Sequence, residues 1–244
     1  MTNMVRSSRL LGLFAAFAVC SALCLGALAG PAAGLSDAEY REMVEDPDFA
    51  KSDKRLNEVW SGLLKEGGLS KAGIRVLKAD QAQWVRKGRD TQAKILMEGG
   101  STALEAYTAA TRLRADELPG IARRIFLQDR PDGPQGYYVR RENGRETGWL
   151  SVRWTDKKAG EVSVDAEAIL VLRPDNVRSG LWSGGGAVQK GVLKAPDEEG
   201  EGSATFTFKG DRVQVATSSD FASGSMGMGV TIEGTYVRQG LPKL

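Results

Sequence analysis

The hydrophobic period of this chain changes once, near residue 130, and that change limits the fold more than any motif does. From Ser36 to Gln128 the sequence is rich in Ala, Leu, Lys, Glu and Arg, and apolar residues recur at helical spacing. From Gly133 onward Gly, Val, Thr and Ser dominate and apolar residues alternate. Arg130-Pro131-Asp132-Gly133-Pro134 separates the two stretches and is dense in turn-formers. The expectation is an α+β chain: an N-terminal helical bundle over residues 36–128, followed by a C-terminal antiparallel β barrel or sandwich over residues 134–244.

Within the first stretch a short helix is expected from Ser36, where Ser36-x-x-Glu39 has the form of a capping box. A second runs from Pro47 to Lys65 and stops at Gly67-Gly68. A third runs from Ser70 to Glu98 and stops at Gly99-Gly100. A fourth runs from Ser101 toward Leu118, where Pro119 should break or kink it, with Ile121 to Leu127 as a last turn or two.

The second stretch divides into eight candidate strands: 136–141, 148–154, 161–173, 176–182, 187–194, 203–209, 212–217 and 230–238. Glu142-Asn143-Gly144-Arg145 and Lys209-Gly210-Asp211 are hairpin-turn sequences. Gly136-Tyr137 near the first strand resembles Gly234-Thr235-Tyr236 near the last. Pairing of those two strands would close the sheet and remove its edges.

Residues 1–29 read as a secretory signal peptide. Arg6 and Arg9 form a basic start, Leu10 to Ala29 carries no charge, and Ala27-Leu28-Ala29 is a small-x-small cleavage site. Cleavage is expected after Ala29, with Ala33 as the other position. The apolar run is also about long enough to serve as an uncleaved anchor, the one way this chain would touch a membrane. A lipoprotein reading is weaker, because Leu23 and Val19 precede Cys24 and Cys20 where a small residue is preferred. The expected compartment is the periplasm. Loss of Arg6 and Arg9 takes Lys+Arg from 33 to 31 against Asp+Glu 31, so the exported chain is neutral. Nucleic acid is not an expected partner, since a basic excess is missing.

Chemistry is narrowed further by what the sequence leaves out. There is no histidine, and the two cysteines, Cys20 and Cys24, both lie in the signal segment. The usual general base, transition-metal ligand and thiol nucleophile are therefore not supplied to the exported chain. Binding is expected rather than catalysis, with no metal, no cofactor and no catalytic residue assigned.

The helical stripes nevertheless carry polar groups. Asp53, Leu56, Asn57, Trp60 and Leu64 share one helix face, as do Leu77, Gln81 and Trp84, with Arg89-Asp90 following. Leu104, Tyr107, Thr111, Arg114 and Leu118 form a third stripe. A buried amide or guanidinium left unpaired costs a few kcal/mol. Asp53, Asn57, Gln81, Asp90, Thr111 and Arg114 are therefore expected to satisfy one another across a helical hairpin. Asp53 or Asp90 is the expected carboxylate partner of Arg114. The network reads as structural, and a ligand site is the other reading.

The order Asp53-x-x-Leu56-Asn57, Leu77-x-x-x-Gln81-x-x-Trp84, Arg89-Asp90 and Thr111-x-x-Arg114-x-x-x-Leu118 resembles the N-terminal domain of the LprI-type lysozyme-inhibitor family, over roughly residues 36–118. The β half, and above all Gly227 to Tyr236, is more loosely similar to a companion domain of that family. Two departures stand out. Ala93 and Ala106 lie near the places where the family carries paired cysteines, so the implied disulfide is missing. One extra residue also lies between Trp84 and Arg89. The resemblance implies an exported, non-enzymatic protein and, for some members, inhibition of lysozyme.

Loops carry function more often than core strands do. Ser218 to Gly229 is the most unusual stretch, and a flexible loop here could enter a glycan cleft through Ser223, Ser225 and Met226. Leu181-Trp182-Ser183-Gly184-Gly185-Gly186 is a second candidate, with Trp182 as an anchoring aromatic. Trp149 and Trp154 are expected in the core, and one of Tyr137 and Tyr138 at the surface. The acidic turn Glu198-Glu199-Gly200-Glu201 could meet a cationic lysozyme.

Three functional readings follow. The first is a periplasmic binding protein that inhibits a lysozyme by occluding its cleft. The second is an envelope interaction module that binds another envelope protein or peptidoglycan, with no lysozyme target. The third, a minor one, is a hydrolase built on Asp165 and Glu167, two apart on one strand and so on one face.

Overall fold

The computed structural model describes residues 36–173, 176–196, 202–218, 221 and 229–243. The expectations for the signal segment, for the acidic turn at 198–201 and for Ser223, Ser225 and Met226 lie outside these residues.

The helical stretch begins as the sequence indicates. In helix α1 (Asp37–Glu45) the Ser36 side chain accepts from the Glu39 backbone N–H, and the Glu39 side chain accepts from the Ser36 backbone N–H. Asp46 Oδ1 accepts from the N–H groups of Asp48 (2.9 Å) and Phe49 (3.0 Å), capping α2 (Pro47–Glu66). Ser70 caps α3 (Lys71–Gln83), its Oγ accepting from Ala72 and Gly73 and donating to Asp129 Oδ1 at 2.9 Å. A π-helical turn, Trp84–Gly88, leads from α3 directly into α4 (Arg89–Glu98). Thr102 and Glu105 form a second capping box at the start of α5 (Ala103–Asp129).

Helix α5 does not end near Leu118. It continues through Pro119 to Asp129. Proline removes one intrahelical bond, yet Leu118, Ala122 and Ile125 prolong the same apolar stripe and are buried on both sides of it. Burial of that stripe outweighs the one lost bond.

Eight strands are present, as the sequence leads one to expect, but the fifth begins at Val192 and not at Ala187, the eighth begins at Gly234 and not at Val230, and the fourth runs on to Ala187. They are β1 (Gly136–Glu142), β2 (Arg145–Asp156), β3 (Glu161–Arg173), β4 (Asn176–Ala187), β5 (Val192–Pro196), β6 (Ser203–Lys209), β7 (Arg212–Thr217) and β8 (Gly234–Arg238). They form one antiparallel sheet in the order β4-β3-β2-β1-β8-β7-β6-β5. The β1–β2 turn places Asn143 and Gly144 at φ 51° and 78°, the left-handed pair that a tight hairpin needs. The first and last strands do pair, through Tyr138↔Arg238 and Val139↔Val237. That pairing sits in the middle of the sheet and does not close it. The two edges are the sequence neighbours β4 and β5, which curl toward each other until Gly186 lies against Leu193 Cδ1. The result is a nearly closed, barrel-like sheet.

The chain divides into two compact units. One comprises Met1–Glu58 and Ala79–Asp116, described from residue 36; the other comprises Val59–Lys78 and Glu117–Leu244. The first has a core of Met43, Phe49, Ala93, Ala106 and Tyr107. The second is built around the inner face of the sheet, where Tyr138, Leu150, Ala166 and Trp182 form one cross-strand row among other buried side chains.

Candidate functional site

The polar residues of the helical stripes are brought together in the first unit, though not with every partner expected. Arg114 is 4 % exposed. Its Nε donates to Gln81 Oε1 at 2.9 Å, a second nitrogen donates to Asp80, and its guanidinium lies over the Trp84 ring, 5.6 Å from the centroid. The carboxylate partner is thus Asp80, correcting the expectation of Asp53 or Asp90. Asp80 and Gln81 are consecutive, and Arg114 spans both.

Asp53 accepts from Asn57 Nδ2 at 3.0 Å, and burial holds its carboxyl above the ordinary value of 3.8 against the opposing pull of Arg89. Arg89 lies between two rings, 5.6 Å from the Tyr40 centroid and 5.7 Å from that of Tyr107, with Asp90 at 3.7 Å. Asp90 Oδ1 accepts from the Tyr107 hydroxyl at 3.2 Å. Thr111 donates to the Tyr107 carbonyl at 2.8 Å, and Trp84 Nε1 donates to Gln92 at 3.0 Å. Trp60 is half-buried on α2. Asp80 and Tyr40 lie outside the stripes, and Tyr107 is in the third stripe but without its bond to Asp90. Their part follows from contacts between helices, which a one-helix period does not encode.

Trp182 faces inward and is 1 % exposed, its ring stacked on Phe206. The stretch from Leu181 to Gly186 is part of strand β4 and not a loop. Its glycines have packing reasons. A Cβ on Gly184 would stand 2.5 Å from the Trp182 ring, and one on Gly185 would stand 2.4 Å from the Val162 carbonyl oxygen. Trp149 is not in the core either. It lies on the outer face of the sheet, half-buried, and its Nε1 donates to Glu167 Oε2 at 2.6 Å.

That outer face holds a groove of about 350 Å³. Tyr137, Ser151, Asp165 and Ser183 form one row across four strands. Tyr137 stacks with its diagonal neighbour Trp149, centroids 6.0 Å apart and planes 26° apart. Glu117, Gly120, Ile121 and Arg124 of α5, at helical spacing, supply the other wall. Asp165 accepts from Arg153 and from Ser183, each at 3.0 Å. Both Asp165 and Glu167 are thus hydrogen-bonded to neighbouring side chains. Tyr137 bonds to Arg124, and burial raises its phenol above the ordinary range.

A larger concavity of about 530 Å³ lies beside Arg140, Gly229 and Glu233. Arg140 is buried and bonds to the Thr147 hydroxyl and carbonyl and to the carbonyls of Thr231 and Glu233, tying three segments together. No sequence signal marked it.

No protein-family model, no curated protein and no solved structure matches the chain.

Proposed function

We propose that this chain is an exported envelope protein that acts by surface fit, inhibiting a lysozyme by occupying its cleft, with residues 36–128 as a helical bundle of the LprI type. On this reading the signal segment is removed after Ala29 and the product is released into the periplasm. The observation that supports it most is how the motif residues are engaged. Arg114 is held by Asp80 and Gln81, Asp53 by Asn57, and Asp90 by Tyr107. Such a network fixes helix register and leaves binding to the surface.

The test is direct. Purified protein is added to peptidoglycan with lysozymes of several classes, and lysis is followed by turbidity. Slowed lysis by at least one class is expected. No effect on any class at high micromolar protein would reject the reading. Neutrality of the exported chain favours the second reading, an envelope interaction module, because inhibitors of basic lysozymes gain from acidity. A defined partner recovered from envelope extract, with lysis unaffected, would select it.

A further inference from the structure

We propose that Asn143, at the tip of the β1–β2 hairpin, is a site of spontaneous deamidation and isomerisation, gated by opening of the turn. The sequence supplies the chemistry. Asn143 precedes Gly144, while Asn3, Asn57 and Asn176 precede Met4, Glu58 and Val177. Glycine has no Cβ, so its backbone nitrogen is unhindered and the link before it turns freely. The Gly144 nitrogen attacks Cγ of the Asn143 side chain. A C–N bond forms, the nitrogen gives up its proton, and the side-chain amide leaves as ammonia. Water then opens the five-membered succinimide at one of its two carbonyls. Opening at Cγ gives aspartate. Opening at the main-chain carbonyl gives isoaspartate, in which the backbone runs through Cβ. Water is the only co-reactant.

The structure supplies access. Asn143 and Gly144 are both exposed, and a Cβ on Gly144 would meet nothing within 4 Å, so the tip is uncrowded. Asn57 is the opposite case. It is half-buried within α2, its Nδ2 donates to Asp53 at 3.0 Å, and the nitrogen of Glu58 is engaged in the helix ladder.

The turn also supplies a gate. Asn143 and Gly144 stand at φ 51° and 78°, and the pair Glu142↔Arg145 closes the hairpin around them. Ring closure needs the bond between Cα and the carbonyl carbon of Asn143 to rotate until the Gly144 nitrogen meets Cγ. A left-handed turn holds that bond elsewhere. The reaction therefore waits for the hairpin end to open. That opening is local, because residues 141 to 146 are all exposed.

The two products treat the fold differently. Aspartate fits the turn, since Asp-Gly forms such hairpins as Asn-Gly does. Isoaspartate lengthens the backbone by one atom, which a two-residue turn cannot absorb. It should loosen the pairs Glu142↔Arg145 and Arg141↔Glu146, together with the Arg141–Glu146 ion pair at 2.6 Å.

The experiment holds the full chain at mildly alkaline pH, folded in one sample and unfolded in urea in another, and maps digested peptides by mass. In the folded chain the mass gain of an amide-to-acid conversion is expected in the peptide that carries Asn143. It should resolve by chromatography into aspartate and isoaspartate forms and grow several-fold more slowly than in urea. Asn143→Gln should remove it. Asn143→Asp should melt as wild type does, and the isoaspartate fraction below it. Three results would overturn the inference: the folded chain gains nothing at Asn143 while the chain in urea converts; both convert at one rate, so that the turn gates nothing; or the gain in the folded chain falls mainly at Asn57 or Asn176.

Discussion

Trp182 stacks on Phe206 with ring centroids 5.5 Å apart and planes at 30°, a contact between the edge strand β4 and strand β6, far apart in the sheet order. Backbone pairing does not join the two edges, so side chains such as this pair bring them together. Trp182 is among the largest fully buried side chains, and Phe221 packs on it as well. Trp182→Ala should therefore cost about 3–5 kcal/mol, measured by urea unfolding. Trp182→Phe should cost less than its lost volume suggests, because Trp182 Nε1 is buried without a hydrogen-bond partner among the described residues. An alanine variant within about 1 kcal/mol of wild type would mean that this contact does not hold the barrel-like curl.

The π turn at Trp84–Gly88 takes up one residue more than an α-helix would over the same rise. If the resemblance to the LprI-type pattern holds, this turn takes up the extra residue between Trp84 and Arg89. Trp84 lies across Gly88, where a Cβ would stand 2.8 Å from the ring. Deletion of the exposed Lys87 should convert the turn to plain α-helix and cost little, about 1 kcal/mol or less. Deletion of the exposed Lys78 should cost several-fold more, because everything after it would rotate by about 100° and bury the wrong face. Thermal melts followed by circular dichroism compare the two. Equal losses would show that the turn is not a removable insertion.

Much of the fold was legible in the sequence because strands and helices advertise their periods. The alternation of Val213 and Val215, or of Val162, Val164 and Ala166, is the inner face itself. In the sequence the alternation of β4 stops at Trp182, because Gly184, Gly185 and Gly186 have no side chains to alternate. The approach of Gly185 to the Val162 carbonyl and of Gly186 to Leu193 exists only after the strands come together. The sheet order is hidden for a related reason: the likeness of the first and last strands points to their pairing but does not say which strands become the edges. The stripes place Arg114 among paired, buried groups, while Asp80 lies beside the counted stripe and not on it. The groove was invisible because it exists only where the C-terminal part of α5 lies over strands β1–β3.

Asp53 gives a pH dependence with a defined sign. Burial raises its folded-state value above 3.8, more than Arg89 and Asn57 lower it. The native state then holds a proton that the unfolded chain has lost, so stability falls as pH rises through the window just above 3.8. Asp53→Asn should be more stable than wild type at pH 7, and the gain should vanish as pH drops below that window. Urea midpoints at the two pH values decide it. A variant less stable at pH 7 would show that attraction to Arg89 outweighs burial.

At the alkaline end the sign comes from Tyr236, whose phenol is pushed up to about 12 by burial, with Arg140 opposing. Its hydroxyl donates to the Ile232 carbonyl at 2.9 Å, a bond the phenolate could not make. The unfolded chain loses this proton near 10.0, so folding stability should fall as pH rises from there toward 12. Absorbance at the phenolate band should show ionisation delayed in the folded protein and released on unfolding in urea. Ionisation of all five tyrosines together at the ordinary value would contradict the buried position.

The alanines that stand near the places of the family's cysteines supply the strongest check on the resemblance. Ala93 on α4 and Ala106 on α5 are both fully buried and belong to the same core cluster, with Met43, Phe49 and Tyr107. If the chain keeps the family's frame, the pair Ala93→Cys and Ala106→Cys should oxidise to a disulfide without disturbing the helices. A closed loop near this length stabilises by about 3 kcal/mol in the chain-entropy account, against a smaller cost for fitting two sulfurs into an alanine-sized space. The oxidised double variant should be two mass units lighter than the reduced one and melt above wild type, while either single variant should melt slightly below it. A double variant that stays reduced under air and copper, or that oxidises only to intermolecular dimers, would show that α4 and α5 do not present these positions to each other, and the resemblance would lose its main structural support.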